Sequence, residues 1–226
     1  KVLVKILCQL LPMKHVLLVW KVYSVKWVFT LMKDKNMFLK NLDIPEKYEG
    51  KAIRSGQPHE LIIEPLLNRQ GGTKTNKVMW PHRYNADKQP DIAEDLSNDF
   101  DMVITQKMDL DKDAYYDVMA TSKVIFSCAL HENLGISVME AVLTGAIPVL
   151  PDRCSYAEMY LPEFKYPSEW TENYDSYVRN KDNLVAFIQE RIDNYDEYAE
   201  LVNKQQNILM DSYLNATVMV DKLLGL

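Results

Sequence analysis

A chain of 226 residues with 47% hydrophobic side chains can bury one large core, or one and a half small ones. Its formal net charge of −6 at pH 7 excludes a bulk electrostatic pull toward nucleic acid or anionic lipid. Cys8, Cys128 and Cys154 are odd in number and form no CxxC pair, so the expectation is reduced, buried thiols in a cytoplasmic protein.

Residues 1–33 are apolar and basic. Lys5, Lys14, Lys21 and Lys26 interrupt them too often for a membrane span of roughly 20 apolar residues. A piece of core from an incomplete first domain is expected here, with an interfacial helix as the alternative. Residues 33–77 are polar, carry Pro and Gly, and read as loops around short elements. Gly71 and Gly72 read as a turn, because no helix with Lys and Ser follows them as in a phosphate loop.

From Lys77 the rhythm changes. "KVMW" (77–80) is a short apolar run ending in Trp80, which reads as core, and turn residues follow it. "PDIAEDLSN" predicts a short helix and "DMVIT" (101–105) a strand. "DKDAYYDVMATS" (111–122) predicts a helix with aspartates in its first turn, where the helix dipole favours them. The D-x-D spacing of Asp109 and Asp111 is read as capping rather than as a metal site. "KVIFSCAL" (123–130) reads as a strand buried on both faces. "GISVMEAVLTG" predicts a helix closed by Gly145, and "AIPVLP" another buried strand. From about Asp182 the pattern is helical, with Leu184, Phe187, Ile188 and Ile192 on one face. Strands alternating with helices predict an α/β fold, a doubly wound parallel sheet of Rossmann-like type with a helical C-terminal tail. The expected division is a partial first segment (1–76) and a ligand-binding domain (77–226).

Ligands of open α/β sheets sit beyond the carboxyl ends of the strands. Two such ends carry chemistry. One leads to His82, Arg83 and Lys88; the other leads to His131, Glu132, Asn133, Leu134 and Gly135, then a helix beginning at Ile136 and Ser137. A helix start offers free N–H groups to a phosphate. Gly135 would let a ligand approach the backbone, and Arg83 and Lys88 would add two cations. His82 and His131 read more simply as packing or capping residues of the loops. Glu132 and Glu140 repel phosphate but accept hydrogen bonds from hydroxyls. Hydroxyls at both ends and phosphates between describe a nucleotide sugar.

The spacing Glu132-x7-Glu140, followed by Ala141, Gly145, Pro148 and Val149, resembles the E-x7-E signature of retaining, family-4-type glycosyltransferases of the GT-B fold. Arg83-x4-Lys88 resembles that family's diphosphate-binding pair. "WPHRYNADKQP", "ALHENLGISVMEAV" and "PVLPDRCSYAEM" together resemble the tRNA-queuosine mannosyltransferase branch. A transferase that glycosylates modified DNA bases and a sugar-nucleotide epimerase of the same GT-B architecture are further readings. The resemblance implies that Glu140 holds the ribose and Glu132 the donor sugar. It implies that amides near Gly135 and Ile136 face the sugar and distal phosphate, and that Arg83 and Lys88 stabilise the leaving diphosphate. It implies hexosyl transfer without a metal or separate cofactor, from a donor such as GDP-mannose or UDP-glucose, with tRNA or DNA as possible acceptors. The family has two such domains and often a Gly at the position of His82. A missing first domain or a partner chain is therefore expected, and a binding module inactive without that partner is the alternative reading.

Overall fold

The computed structural model describes residues 27–29, 52–217 and 221. The expectations for residues 1–33 and for the end of the tail fall largely outside the described residues. Trp27–Phe29 (β1) and Ala52–Arg54 (β2) pair as a short parallel ribbon.

The main sheet has five parallel strands: β3 (Thr75–Trp80), β4 (Asp101–Ile104), β5 (Ser122–Phe126), β6 (Ile147–Pro151) and β7 (Lys165–Tyr166). Their order is β4-β3-β5-β6-β7. Both faces are covered, and the side chains alternate accordingly. Val78, Trp80, Val124, Phe126 and Val149 enter one apolar cluster, while Met79, Ile125 and Leu150 enter the other.

The first cluster is closed by α2 (Pro90–Asp95) and α6 (Tyr174–Asp193), which contribute Ile92, Ala93, Leu184, Ile188 and Ile192. On the opposite face lie α1 (Glu60–Leu67), α3 (Lys112–Thr121), α4 (Ile136–Leu143), α5 (Cys154–Met159) and α7 (Ala199–Ser212). They supply Leu66, Met119, Val138, Val142, Tyr156 and Leu209. The chain leaves β3 toward β4 over one face and returns past β3 to β5 over the other. Right-handed crossovers require that change of face when the direction of winding reverses. The reversal opens a crevice between the carboxyl ends of β3 and β5.

Two local expectations are corrected, and a third is filled in. The apolar run 123–130 is a strand only to Phe126. Ser127, Cys128 and Ala129 are equally buried but form a loop: the Ser127 N–H still reaches the Val149 carbonyl of β6 at 3.1 Å, while the carbonyls of Cys128 and Ala129 accept from the Arg153 side chain instead of a strand. The helical tail begins at Tyr174, since Asn173 accepts a hydrogen bond from the Ser176 N–H at 2.9 Å and caps α6 well before its apolar stripe starts. The polar stretch 33–77 holds α1, whose internal Pro65 obscures a helical pattern, and α1 packs against α4 with Leu66 in the same core. Asp111 accepts from the Ala114 N–H at 2.8 Å and caps α3, and Gly71 and Gly72 lie in an exposed turn.

Leu184 is fully buried on α6 while Val178 is 57% exposed. Leu184→Ala should cost about 2–5 kcal/mol in urea denaturation, and Val178→Ala should stay within about 0.5 kcal/mol.

Candidate functional site

The crevice is walled by two loops. One follows β3 and carries His82, Arg83 and a short 3-10 turn, Ala86–Lys88. The other follows β5 and runs from Ser127 to Gly135. A backbone bond from the Leu130 N–H to the Asp87 carbonyl, 2.7 Å, ties them together. From below, the Arg153 guanidinium donates to the carbonyls of Cys128, Ala129, Ser168 and Thr171. The Gln89 amide donates to the carbonyls of Cys128 and Thr171. These bonds satisfy backbone oxygens that would otherwise be buried without partners.

Lys88 and Glu132 meet at the centre. The Lys88 ammonium donates to the His131 carbonyl and to Glu132 Oε2 at 3.2 Å, and lies 3.4 Å from Asp87 Oδ2. Glu132 Oε1 accepts from the N–H groups of Asn133 and Gly135, both at 3.1 Å. The Lys88 and Glu132 side chains are only 9% and 17% exposed. Lys88 is thus a buried cation with two hydrogen bonds and a second carboxylate beside it. The Gly135 and Asn133 amides are likewise taken by the chain itself. Helix geometry leaves the N–H groups of Ile136 and Ser137 without intrahelical partners, so the free amides lie one step further along.

Gly135 has φ +69° and ψ 50°, the left-handed region. A Cβ there would stand 3.0 Å from Tyr156 Cε1. The turn and the tyrosine beneath it therefore each require glycine. Leu134 packs on the core, Asn133 is exposed, Ser137 is half-buried and Ile136 is 40% exposed. The Arg83 side chain is exposed and makes no ion pair among the described residues.

Glu140 faces α3. Its Oε1 accepts from the Tyr116 hydroxyl at 2.9 Å, and burial raises its pKa despite that bond and the Lys112 charge. Tyr116 lies between the Arg69 guanidinium and the Lys112 ammonium, 5.5 and 5.3 Å from its ring centroid. No sequence spacing links Tyr116 to Glu140; packing of two helices brings them together. Trp80 is fully buried, as read from the sequence.

His82 is also buried, 6% exposed, against Ser127 Oγ at 2.8 Å and edge-on to Trp80. Burial lowers its pKa to about 4, overcoming the pull of Glu132. Among the described residues no helix is long and apolar enough to cross a membrane, and no His, Cys, Asp or Glu group is placed to hold a metal ion.

Against this geometry, comparison with known proteins is informative. The structure resembles S. aureus TarM in complex with fondaparinux, α-GlcNAc-glycerol and UDP (TM-score 0.59, 13% identity, covering 88% of this chain and 43% of that one). It resembles Anabaena HepE in complex with UDP (TM-score 0.57, 14% identity, 90% and 64% covered). The fold is of the GT-B glycosyltransferase type. The pneumococcal O-GlcNAc transferase GtfA, in complex with UDP and GlcNAc, is similar as well (TM-score 0.55, 12% identity, 88% and 44% covered). In sequence, the chain is 25% identical over 119 residues to a Drosophila melanogaster tRNA-queuosine alpha-mannosyltransferase, covering 39% of this chain and 32% of that protein. No protein-family model matches. In each case this GT-B chain spans less than two thirds of its relative's length.

Two outcomes follow for the free chain. Gly135→Ala should lose about 1–2 kcal/mol of stability from the left-handed backbone alone, read by chemical denaturation. His82 titrates near 6.5 unfolded and near 4 folded. Its neutral form contributes stability above pH 6.5 that is lost as pH falls toward 4, and His82→Asn should flatten that part of the stability profile.

Proposed function

We propose that this chain carries the donor-binding half of a glycosyltransferase that moves a hexose from a nucleoside-diphosphate sugar with retention of configuration. The observation that carries this reading is the Lys88–Glu132 pair at the switch-point crevice, beneath the first turn of α4. The UDP complexes of the similar structures support a nucleotide sugar as ligand, and the mannosyltransferase relative supports a hexose. GDP-mannose and UDP-glucose are the leading donors. A modified base of tRNA or DNA is the acceptor this reading favours, brought by a further domain or a partner chain.

In this reading the diphosphate meets Arg83 first, because Arg83 is the exposed cation at the crevice. The free amides of Ile136 and Ser137 and the positive end of α4 hold the same anion. Lys88 joins by giving up one of its acceptors, and the two cations stabilise the charge that develops on the leaving diphosphate. Glu132 has one acceptor position open on Oε2 for a sugar hydroxyl, since a carboxylate offers about four such positions. Glu140, steadied by Tyr116, accepts from the ribose hydroxyls. The departing phosphate takes the acceptor's proton, so no protein base and no metal is assigned a step.

The direct test is a thermal-shift panel of nucleotide sugars, since a ligand that binds only the folded chain raises its stability. No shift with any of them would remove the reading. Glu140→Ala should weaken nucleotide binding by about 1–3 kcal/mol in calorimetry. Arg83→Ala should lower turnover without changing Tm, whereas Lys88→Ala should also cost about 3 kcal/mol of stability, because it leaves Glu132 buried without its counter-ion.

A further inference from the structure

The Lys88 ammonium donates to the His131 carbonyl and to Glu132 Oε2, and Asp87 Oδ2 stands 3.4 Å away as an ion-pair partner. The side chain is 9% exposed, so an incoming anion competes with these groups for the ammonium. Releasing Glu132 would strip Oε2 of its only hydrogen-bond donor among the described residues, in a side chain just 17% exposed, and would leave only the two amides on Oε1 to hold the charge. One group stands ready. His82 Nδ1 lies 4.0 Å from Glu132 Oε2, about 1 Å beyond hydrogen-bond length.

The protonation of that ring follows from its other side. Ser127 Oγ accepts from the Tyr156 hydroxyl at 3.1 Å and from the Ala129 N–H at 3.3 Å, which fills both lone pairs. Its single proton must then go to His82 Nε2 at 2.8 Å. Nε2 is the acceptor, and Nδ1 carries the hydrogen on the Glu132 side. The charged groups facing the ring are Glu132, Lys88 and Asp87, and burial outweighs the two carboxylates, so the imidazole is neutral.

We propose that His82 is a positioning residue: a neutral imidazole whose Nδ1–H takes over the Glu132 carboxylate when Lys88 turns to a donor diphosphate. This rests on the donor reading above. The exchange transfers no proton. The ammonium stays charged, the imidazole stays neutral, and Oε2 replaces one donor by another while keeping its second position for a sugar hydroxyl. Glu132 is thereby held in place during the step in which its ion pair is broken, so His82 governs recognition of the sugar rather than of the nucleotide.

The test is calorimetry on the 226-residue chain with UDP, UDP-glucose, GDP and GDP-mannose. His82→Gln, which keeps reach toward Ser127 but not a donor at the Nδ1 position, should weaken nucleotide-sugar binding about tenfold and leave nucleoside-diphosphate binding within about twofold. His82→Asn, which keeps an N–H near Nδ1, should restore most of the loss. Ser127→Ala, which removes the proton that fixes the tautomer, should reproduce the selective loss without touching His82. Equal losses on both ligand types, or no rescue by Asn, would reduce His82 to a packing residue and overturn the proposal. Absence of binding to any of the four ligands by the unaltered chain would instead overturn the donor reading on which it stands.

Discussion

The buried contact between the Lys88 ammonium and the Glu132 carboxylate is the constraint on which the arrangement of the crevice depends. The loops after β3 and β5 leave the sheet at the point where its winding reverses, and nothing in strand pairing holds them together beyond that point. The ion pair does, together with the His131 carbonyl and the bond from Leu130 to Asp87. Removing either charge would leave the other in a low-dielectric site without compensation, so the two loops behave as one unit. Arg153 and Gln89 complete that unit from beneath by satisfying the carbonyls of residues 128, 129, 168 and 171.

The same carboxylate decides which backbone groups are open to a ligand. Glu132 Oε1 occupies the amides of Asn133 and Gly135, and it can do so because Gly135 turns left-handed over Tyr156. The open amides of α4 then lie at Ile136 and Ser137. A negative side chain beside an anion site would ordinarily oppose binding. Here its charge is offset by Lys88, while Arg83 stays exposed. Tyr116, held between two cations, supports Glu140 from α3 in a similar way. Neighbours unrelated in sequence thus steady both glutamates.

How far the residues alone reach can be judged from particular elements. Runs such as "KVIF" and "IPVL" are apolar on both faces, and only a strand covered by helices on both sides keeps them dry, so a doubly wound parallel sheet was legible. Elements without such periodicity were not. β7 has two residues, α1 contains Pro65, and α6 begins with a polar cap. The candidate residues Arg83, Lys88, Glu132 and Glu140 could be named because loops at strand ends and E-x7-E spacing are local features.

Sequence by itself thus determined the alternation of strands and helices, the two loops and the acids and cations they carry, because each depends on near neighbours in the chain. Only the tertiary structure decided which of those charges are free. Lys88 is paired with Glu132, Gly135 turns over Tyr156, and His82 meets a serine 45 residues away whose oxygen also accepts from two other groups. Hydrogen-bond saturation is a property of everything that converges on an atom. Positions distant in the chain supply most of what converges here, so no local pattern records it.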